Sequence, residues 1–169
     1  MSSTASSLRI VSVAAGPEQS AQAPAAAPAE LGKLDVFIGR WINEGETVSE
    51  HGSPALRIVT SDIYEWAPGG HFMVHAAYGR IGAFDVGGVE IIDYDREAGS
   101  FRTRFFDSQG NANVAMLTER DGVWTWTGER TRCRADFSPD GTIQSAHHER
   151  SENGIVWVPS MEVVLRKVG

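Results

Sequence analysis

The chain has 169 residues, of which 41% are hydrophobic, and a formal net charge of -7. This length predicts one domain with a core of its own. Lysine and arginine are scattered singly, so a nucleic-acid backbone would meet net repulsion, and we expect no nucleic-acid partner. No apolar run approaches the roughly twenty residues of a membrane helix, so we expect a soluble chain with no membrane partner.

Cysteine usage bears on the compartment. Cys133 is the single cysteine, which excludes an intramolecular disulfide and makes a reducing cytoplasm the default. The apolar piece at residues 8–15 is short and interrupted by serine, unlike a secretory signal. We therefore predict a cytoplasmic protein.

The first segment of the chain is predicted to be an arm. Residues 1–29 are rich in Ser, Ala, Pro and Gln and have no aromatic residue, which favours disorder. The composition changes after Pro28, and a short apolar stripe there predicts one or two helical turns: Leu31, Leu34, Val36, Phe37 and Ile38. We assign residues 1–29 to a disordered N-terminal arm and residues 30–169 to the folded domain.

Short β segments separated by turn signals follow this helix to the end of the chain. The signals lie at residues 68–70, 95–99, 109–111, 121–122, 139–141 and 153–154. The last, Asn153-Gly154, predicts a two-residue hairpin. The pattern predicts an all-β, antiparallel barrel of about eight to ten strands, because closure removes the sheet edges. A two-sheet sandwich stays open as the alternative.

The segment at residues 37–41, a short helix that leads into Gly39-x-Trp41, resembles the opening motif of lipocalins and other calycins. In those proteins the tryptophan closes one end of the barrel, and an arginine of the last strand packs across it. Arg166 is the residue that matches this arginine. The resemblance implies a lipocalin-like β-barrel.

The chain also resembles an uncharacterised family of bacterial lipocalin-like domains, over about residues 31–168. The motifs are Tyr64-Glu65-Trp66, Gly69-Gly70-His71-Phe72, Asp93-Tyr94-Asp95 and Phe106-Asp107-Ser108 before Gly110. This family implies the fold but carries no agreed activity. Nitrobindin-like haem barrels share the opening motif, but the chain shows no matching proximal-histidine context, so we expect no cofactor.

Histidines are the first candidates for chemistry. His71 and His75 are about 13 Å apart along a strand, too far to share a metal ion, and we predict no metal site. An inward His75 would be a proton donor or acceptor near neutral pH, with Tyr64 and Glu162 as further acid-base groups. His71 would share the face of His75, and His148 points away from its neighbour His147. Ordinary surface or core histidines are the alternative.

Aromatic residues are the candidates for a ligand-binding wall. Trp124 and Trp126 share one face of a strand. Either both pack in the core, or Trp126 forms part of the wall of a cavity. Further wall candidates, whose orientation depends on strand register, are Tyr64, Tyr78, Tyr94 and Phe106. Arg104 is a ligand-binding candidate that would need Glu90 or a ligand carboxylate if it pointed inward, and it pairs at the surface otherwise.

The predicted function is the binding of a small apolar or aromatic molecule inside the barrel, an inference from the fold class. The alternative is a cofactor-free isomerase or cyclase acting on a polyketide-like or terpenoid-like substrate in a biosynthetic pathway. A third hypothesis is that the barrel has a filled core and serves as an interaction domain. A small-molecule ligand or substrate is the expected partner, and a homodimer is left open.

Overall fold

The computed structural model describes residues 26–49 and 52–169. Residues 1–25 of the predicted arm, including the apolar piece at residues 8–15, lie outside the described residues. The first element is a short 3-10 helix, Ala29–Val36, here called the plug helix. Within the described residues, no helix has both the length and the apolar character to cross a membrane.

Strands make up the rest of the domain. They are β1 (Gly39–Thr47), β2 (Arg57–Trp66), β3 (Met73–Ile81), β4 (Phe84–Asp95), β5 (Ser100–Asp107), β6 (Ala112–Arg120), β7 (Val123–Gly128), β8 (Thr131–Phe137), β9 (Ile143–Arg150) and β10 (Val158–Val168). Consecutive strands pair antiparallel, and β1 also pairs with β10. The sheet is therefore a closed barrel of ten strands, which confirms the predicted fold class and excludes the sandwich.

Alternation along each strand decides what enters the barrel. In β2, Ile58, Asp62 and Tyr64 are buried, whereas Val59 and Ser61 between them are exposed. Successive side chains of a strand point to opposite faces, so this series lies inside the closed sheet. The interior therefore receives a carboxylate together with apolar and aromatic groups.

The predicted turn at residues 121–122 is a two-residue hairpin. Asp121 and Gly122 have positive φ angles of 53° and 79°, the conformation that tight hairpins require. The prediction of a two-residue hairpin at Asn153-Gly154 is wrong, because β9 ends at Arg150 and β10 begins only at Val158. Asn153 instead accepts hydrogen bonds from the backbone N–H groups of Ile155 and Val156, each at 2.9 Å, and so stabilises a longer loop.

The plug helix closes one end of the barrel. A 3-10 helix has about three residues per turn, so Leu31, Leu34 and the following Phe37 stack on one side and are buried. Phe37 packs edge-on against Trp124, with ring centroids 4.8 Å apart. Trp66 Nε1 donates to Asp35 Oδ1 at 2.9 Å, which ties the plug helix to the end of β2.

The Gly39-x-Trp41 motif joins the plug helix to β1. Gly39 has a φ of +130°, which favours glycine, and this turn directs Trp41 into the barrel, where it is fully buried. Trp41 Nε1 donates to the carbonyl oxygen of Phe37 at 2.7 Å. The cation over the indole is Lys167, 5.0 Å from the ring centre, and not the expected Arg166. Arg166 lies one residue away on the strand and therefore faces outward.

Replacing Trp41 with alanine should lower the free energy of unfolding by about 3–5 kcal/mol, because it empties a fully buried site and removes a hydrogen bond. Ile42→Ala on the outer face is the matched control and should cost less than about 1 kcal/mol. Urea unfolding followed by circular dichroism measures both changes. Equal, small losses would contradict the closing role of Trp41.

Candidate functional site

A cavity of about 540 Å³ occupies the barrel between the plugged end and the opposite end. Ser108, Gln109 and Thr131 border it and are exposed, so they mark its mouth. These residues lie where β5 ends and β8 begins, at the end of the barrel away from the plug helix. The cavity therefore opens to solvent at the end of the barrel opposite the plug helix.

Polar side chains follow one side of the cavity, here called the polar arc. Its members are Gln144, Asn43, Thr60, Asp62, His75 and Glu90. Strand register brings them together, since Asn43 lies opposite Thr60 on β2 and His75 lies opposite Glu90 on β4. Hydrophobic side chains line much of the remaining cavity surface and are here called the apolar wall. Phe105, Ala115 and Trp126 lie on β5, β6 and β7, across the barrel from Asn43, whereas Met161 and Val163 lie on β10, between Asn43 on β1 and Gln144 on β9.

His75 is the centre of the polar arc and is held from both sides. Its Nδ1 lies 3.0 Å from Glu90 Oε2, and its Nε2 lies 3.0 Å from Asp62 Oδ1. Its ring stacks on Tyr64, with centroids 3.9 Å apart and an angle of 6° between the planes. Thr60 Oγ1 donates to Asp62 Oδ2 at 2.6 Å, which fixes that carboxylate in turn.

These contacts decide the protonation state of His75. Burial lowers its pKa, but the hydrogen bonds to Asp62 and Glu90 and their charges outweigh burial and raise the pKa to about 9. His75 is therefore an imidazolium at neutral pH, and both ring nitrogens donate to carboxylates. Burial also raises the pKa of Tyr64 well above its usual range, and the charges of Asp62 and Glu90 raise it further.

A second pair borders the cavity away from His75. Cys133 Sγ lies 3.5 Å from His148 Nε2. Burial, followed by the charge of Glu90, raises the pKa of the Cys133 thiol to about 12, and burial lowers the pKa of His148 to about 4. Both groups are therefore neutral near pH 7, although Arg132 and Arg134 flank Cys133 in the sequence.

Two oxygens of the polar arc have no hydrogen-bond partner. They are Asn43 Oδ1 and Gln144 Oε1, both buried. Leu165 of β10 lies between the two residues, opposite each of them in the register. Buried acceptors without a donor cost free energy, so a group in the cavity that donates to them would be stabilised.

Four of the ten predicted site residues border the cavity: Tyr64, His75, Trp126 and His148. His71 lies in the turn before β3, at the plugged end. Tyr94 packs against Phe101 between the cavity and the plugged end, with ring centroids 5.4 Å apart. Tyr78 and Phe106 are 59% and 50% exposed and lie outside the cavity.

The two charged predictions also lie outside the cavity. Glu162 follows the inward Met161 on β10, so alternation turns it outward, and its side chain is 70% exposed beside His147. Arg104 Nη1 donates to Asp93 Oδ2 at 3.2 Å on the outer face, the surface pairing considered above, and not to Glu90.

Asp62, Asn43 and Gln144 border the cavity although the sequence pattern does not identify them as site residues, and it indicates Glu90 only as a partner for Arg104. Asp62 had a usable signal, since it stands two residues before Tyr64 and shares its face in any strand. Glu90 stands two residues before Ile92, which is fully buried. The contact between these carboxylates and His75 needs the register of β2, β3 and β4, which the composition of the strands does not determine.

Within residues 26–49 and 52–169, no group of three His, Cys, Asp or Glu side chains is arranged to hold a metal ion. In comparisons with known proteins, no family model matches the chain, and no curated protein sequence matches it. The geometry of the cavity therefore carries the functional argument.

The raised pKa of His75 makes a prediction about stability and pH. The folded-state pKa of about 9 lies above the ordinary value of 6.5, so the stabilisation is complete below pH 6.5 and is lost as the pH rises toward 9. The melting temperature should fall over this range, and it should fall less in His75→Gln, which has no titrating group there. Differential scanning fluorimetry at closely spaced pH values measures both slopes. Parallel slopes would contradict the prediction.

Proposed function

We propose that this chain is a lipocalin-like barrel that binds a small, mainly apolar or aromatic molecule in its cavity. The observation that carries the proposal is a cavity whose lining combines an apolar wall with a polar arc. Ligand sites commonly combine hydrophobic walls with a few placed polar groups that fix orientation. The volume of about 540 Å³ lies within the range of small-molecule sites.

Trp126 links the proposed site to the plugged end. Its ring lies 5.8 Å from Phe37, centroid to centroid, and its side chain also borders the cavity. A flat indole held by packing supplies a rigid contact surface for an aromatic or aliphatic ligand. Phe37, which directly follows the plug helix, thus orients part of the proposed binding wall as well as packing at the closed end.

The neutral fluorescent probe N-phenyl-1-naphthylamine tests the proposal. Ala77 borders the cavity, so Ala77→Phe should occupy part of it and weaken probe binding about tenfold or more. Ala76→Phe is the matched control, because its neighbouring side chain points to the other face of β3. Probe fluorescence titrations, with melting curves to confirm folding, measure the affinities.

The outcome that overturns this proposal is specific. If the probe does not bind, or if Ala77→Phe and Ala76→Phe change its affinity equally, the cavity is not the binding site. A loss confined to Ala77→Phe supports the proposal.

The second candidate is the cofactor-free isomerase or cyclase, and the polar arc is the observation that favours it. His75 has both ring nitrogens engaged, so it is a fixed positive charge and not a free proton carrier. Glu90 uses Oε2 toward His75 and borders the cavity, so its Oε1 is the better placed base. Taking a proton beside a ligand carbonyl is the first step such an enzyme would need.

Proton exchange tests this second candidate. A ketone of matched shape, 1-(naphthalen-1-yl)propan-2-one, should exchange its α protons for deuterium faster with the protein than in buffer. Glu90→Gln should reduce the catalysed rate about a hundredfold, whereas Glu162→Gln on the outer face should not change it. Proton NMR in D₂O follows the exchange. A bound ketone that exchanges at the buffer rate would exclude this chemistry for it.

A further inference from the structure

We infer that the molecule held in the cavity carries a protonated amine, with the amine at the polar arc and an apolar body against the apolar wall. This inference rests on the proposed function and specifies its ligand class. It follows from the charge of the polar arc, the groups that His75 leaves available and two acceptors without donors.

The charge of the polar arc favours a cation. Asp62 and Glu90 are two carboxylates that share one imidazolium, His75, so the three groups together carry one net negative charge. The raised pKa of His75 keeps this balance through neutral pH. Charges a few ångströms apart interact strongly in a partly buried site, so the sign of a ligand's charge affects its affinity here.

An anionic head group would find no donor on His75. Both ring nitrogens already bond carboxylates, and the side chain is only 11% exposed. Arg132 at the cavity border bonds Glu149 and lies over the Trp157 ring, 4.5 Å from its centre. His148 is neutral because burial lowers its pKa to about 4. The cationic groups that border the cavity are thus already matched by protein carboxylates.

Two hydrogen-bond acceptors of the polar arc have no partner, which favours a ligand group that donates hydrogen bonds. Gln144 has an exposed fraction of only 3%. Neither Gln144 Oε1 nor Asn43 Oδ1 accepts a hydrogen bond. Rotating the side-chain amide of Asn43 or Gln144 by 180° would put its NH₂ group in place of its oxygen. The carboxylates of Asp62 and Glu90 have two oxygens each, so they accept hydrogen bonds in either orientation. An ammonium has several N–H donors and no acceptor, which suits such a set.

A matched series of three probes tests the inference by isothermal titration calorimetry. The probes share a naphthyl body and differ in the head group: 2-(1-naphthyl)ethylamine is a cation, 2-(1-naphthyl)ethanol is neutral, and 1-naphthylacetate is an anion. We expect the amine to bind about tenfold tighter than the alcohol, and the alcohol tighter than the acetate.

Charge variants locate the preference. Glu90→Gln should weaken the amine about fivefold or more while leaving the alcohol within about twofold, because it removes a negative charge but keeps the side-chain shape. Glu162→Gln removes the same charge from the outer face and should change neither affinity. Asp62→Asn supplies the second test if Glu90→Gln does not fold.

The outcomes separate the two proposals. If the alcohol or the acetate binds tightest and Ala77→Phe weakens it, the amine preference is overturned and cavity binding stands. An amine preference that persists in both Glu90→Gln and Asp62→Asn would also overturn it. If none of the three probes is weakened by Ala77→Phe, the cavity is not the site and both proposals fail.

Discussion

The pairing of β1 with β10 is the constraint on which the rest of the structure depends. It joins the first strand to the last, with Trp41 opposite Lys167, and so leaves each of the ten strands with two neighbours. Once the sheet is closed, alternate side chains of every strand must share one enclosed space. That space is filled by the plug helix and aromatic rings at one end and stays open at the other.

The polar arc is a costly way to line such a space. Burying charges is expensive even when they are paired, and well-packed hydrophobic residues often stabilise a protein as well or better. Here two carboxylates share one imidazolium, and Tyr64 stacks on it, so the cluster is well ordered but not neutral. A filled hydrophobic core would not need such a cluster, and this net charge supports the proposed ligand recognition.

The sequence predicts the fold in considerable detail because local rules determine it. Glycine and aspartate turns delimit most strands, and the apolar stripe from Leu31 to Ile38 predicts the plug helix. Alternation predicts that His147 and His148 point to opposite faces, and strand register, which the sequence leaves open, decides that His148 and Trp126 border the cavity. The site is less predictable, because it is built across strands. Asp62, His75 and Glu90 are distant in sequence and meet only through register. Lys167 in place of Arg166 shows how a shift of one residue exchanges the inner and outer faces.

The position of the last strand has a practical geometric consequence. β10 ends at Val168 beside Arg40, at the same end of the barrel as the plug helix. Gly169 therefore lies at the end of the barrel opposite the mouth near Ser108 and Thr131. A protein anchored to a sensor surface through Gly169 would present its mouth to the flowing solution, so the attachment itself would not obstruct the entry of small molecules.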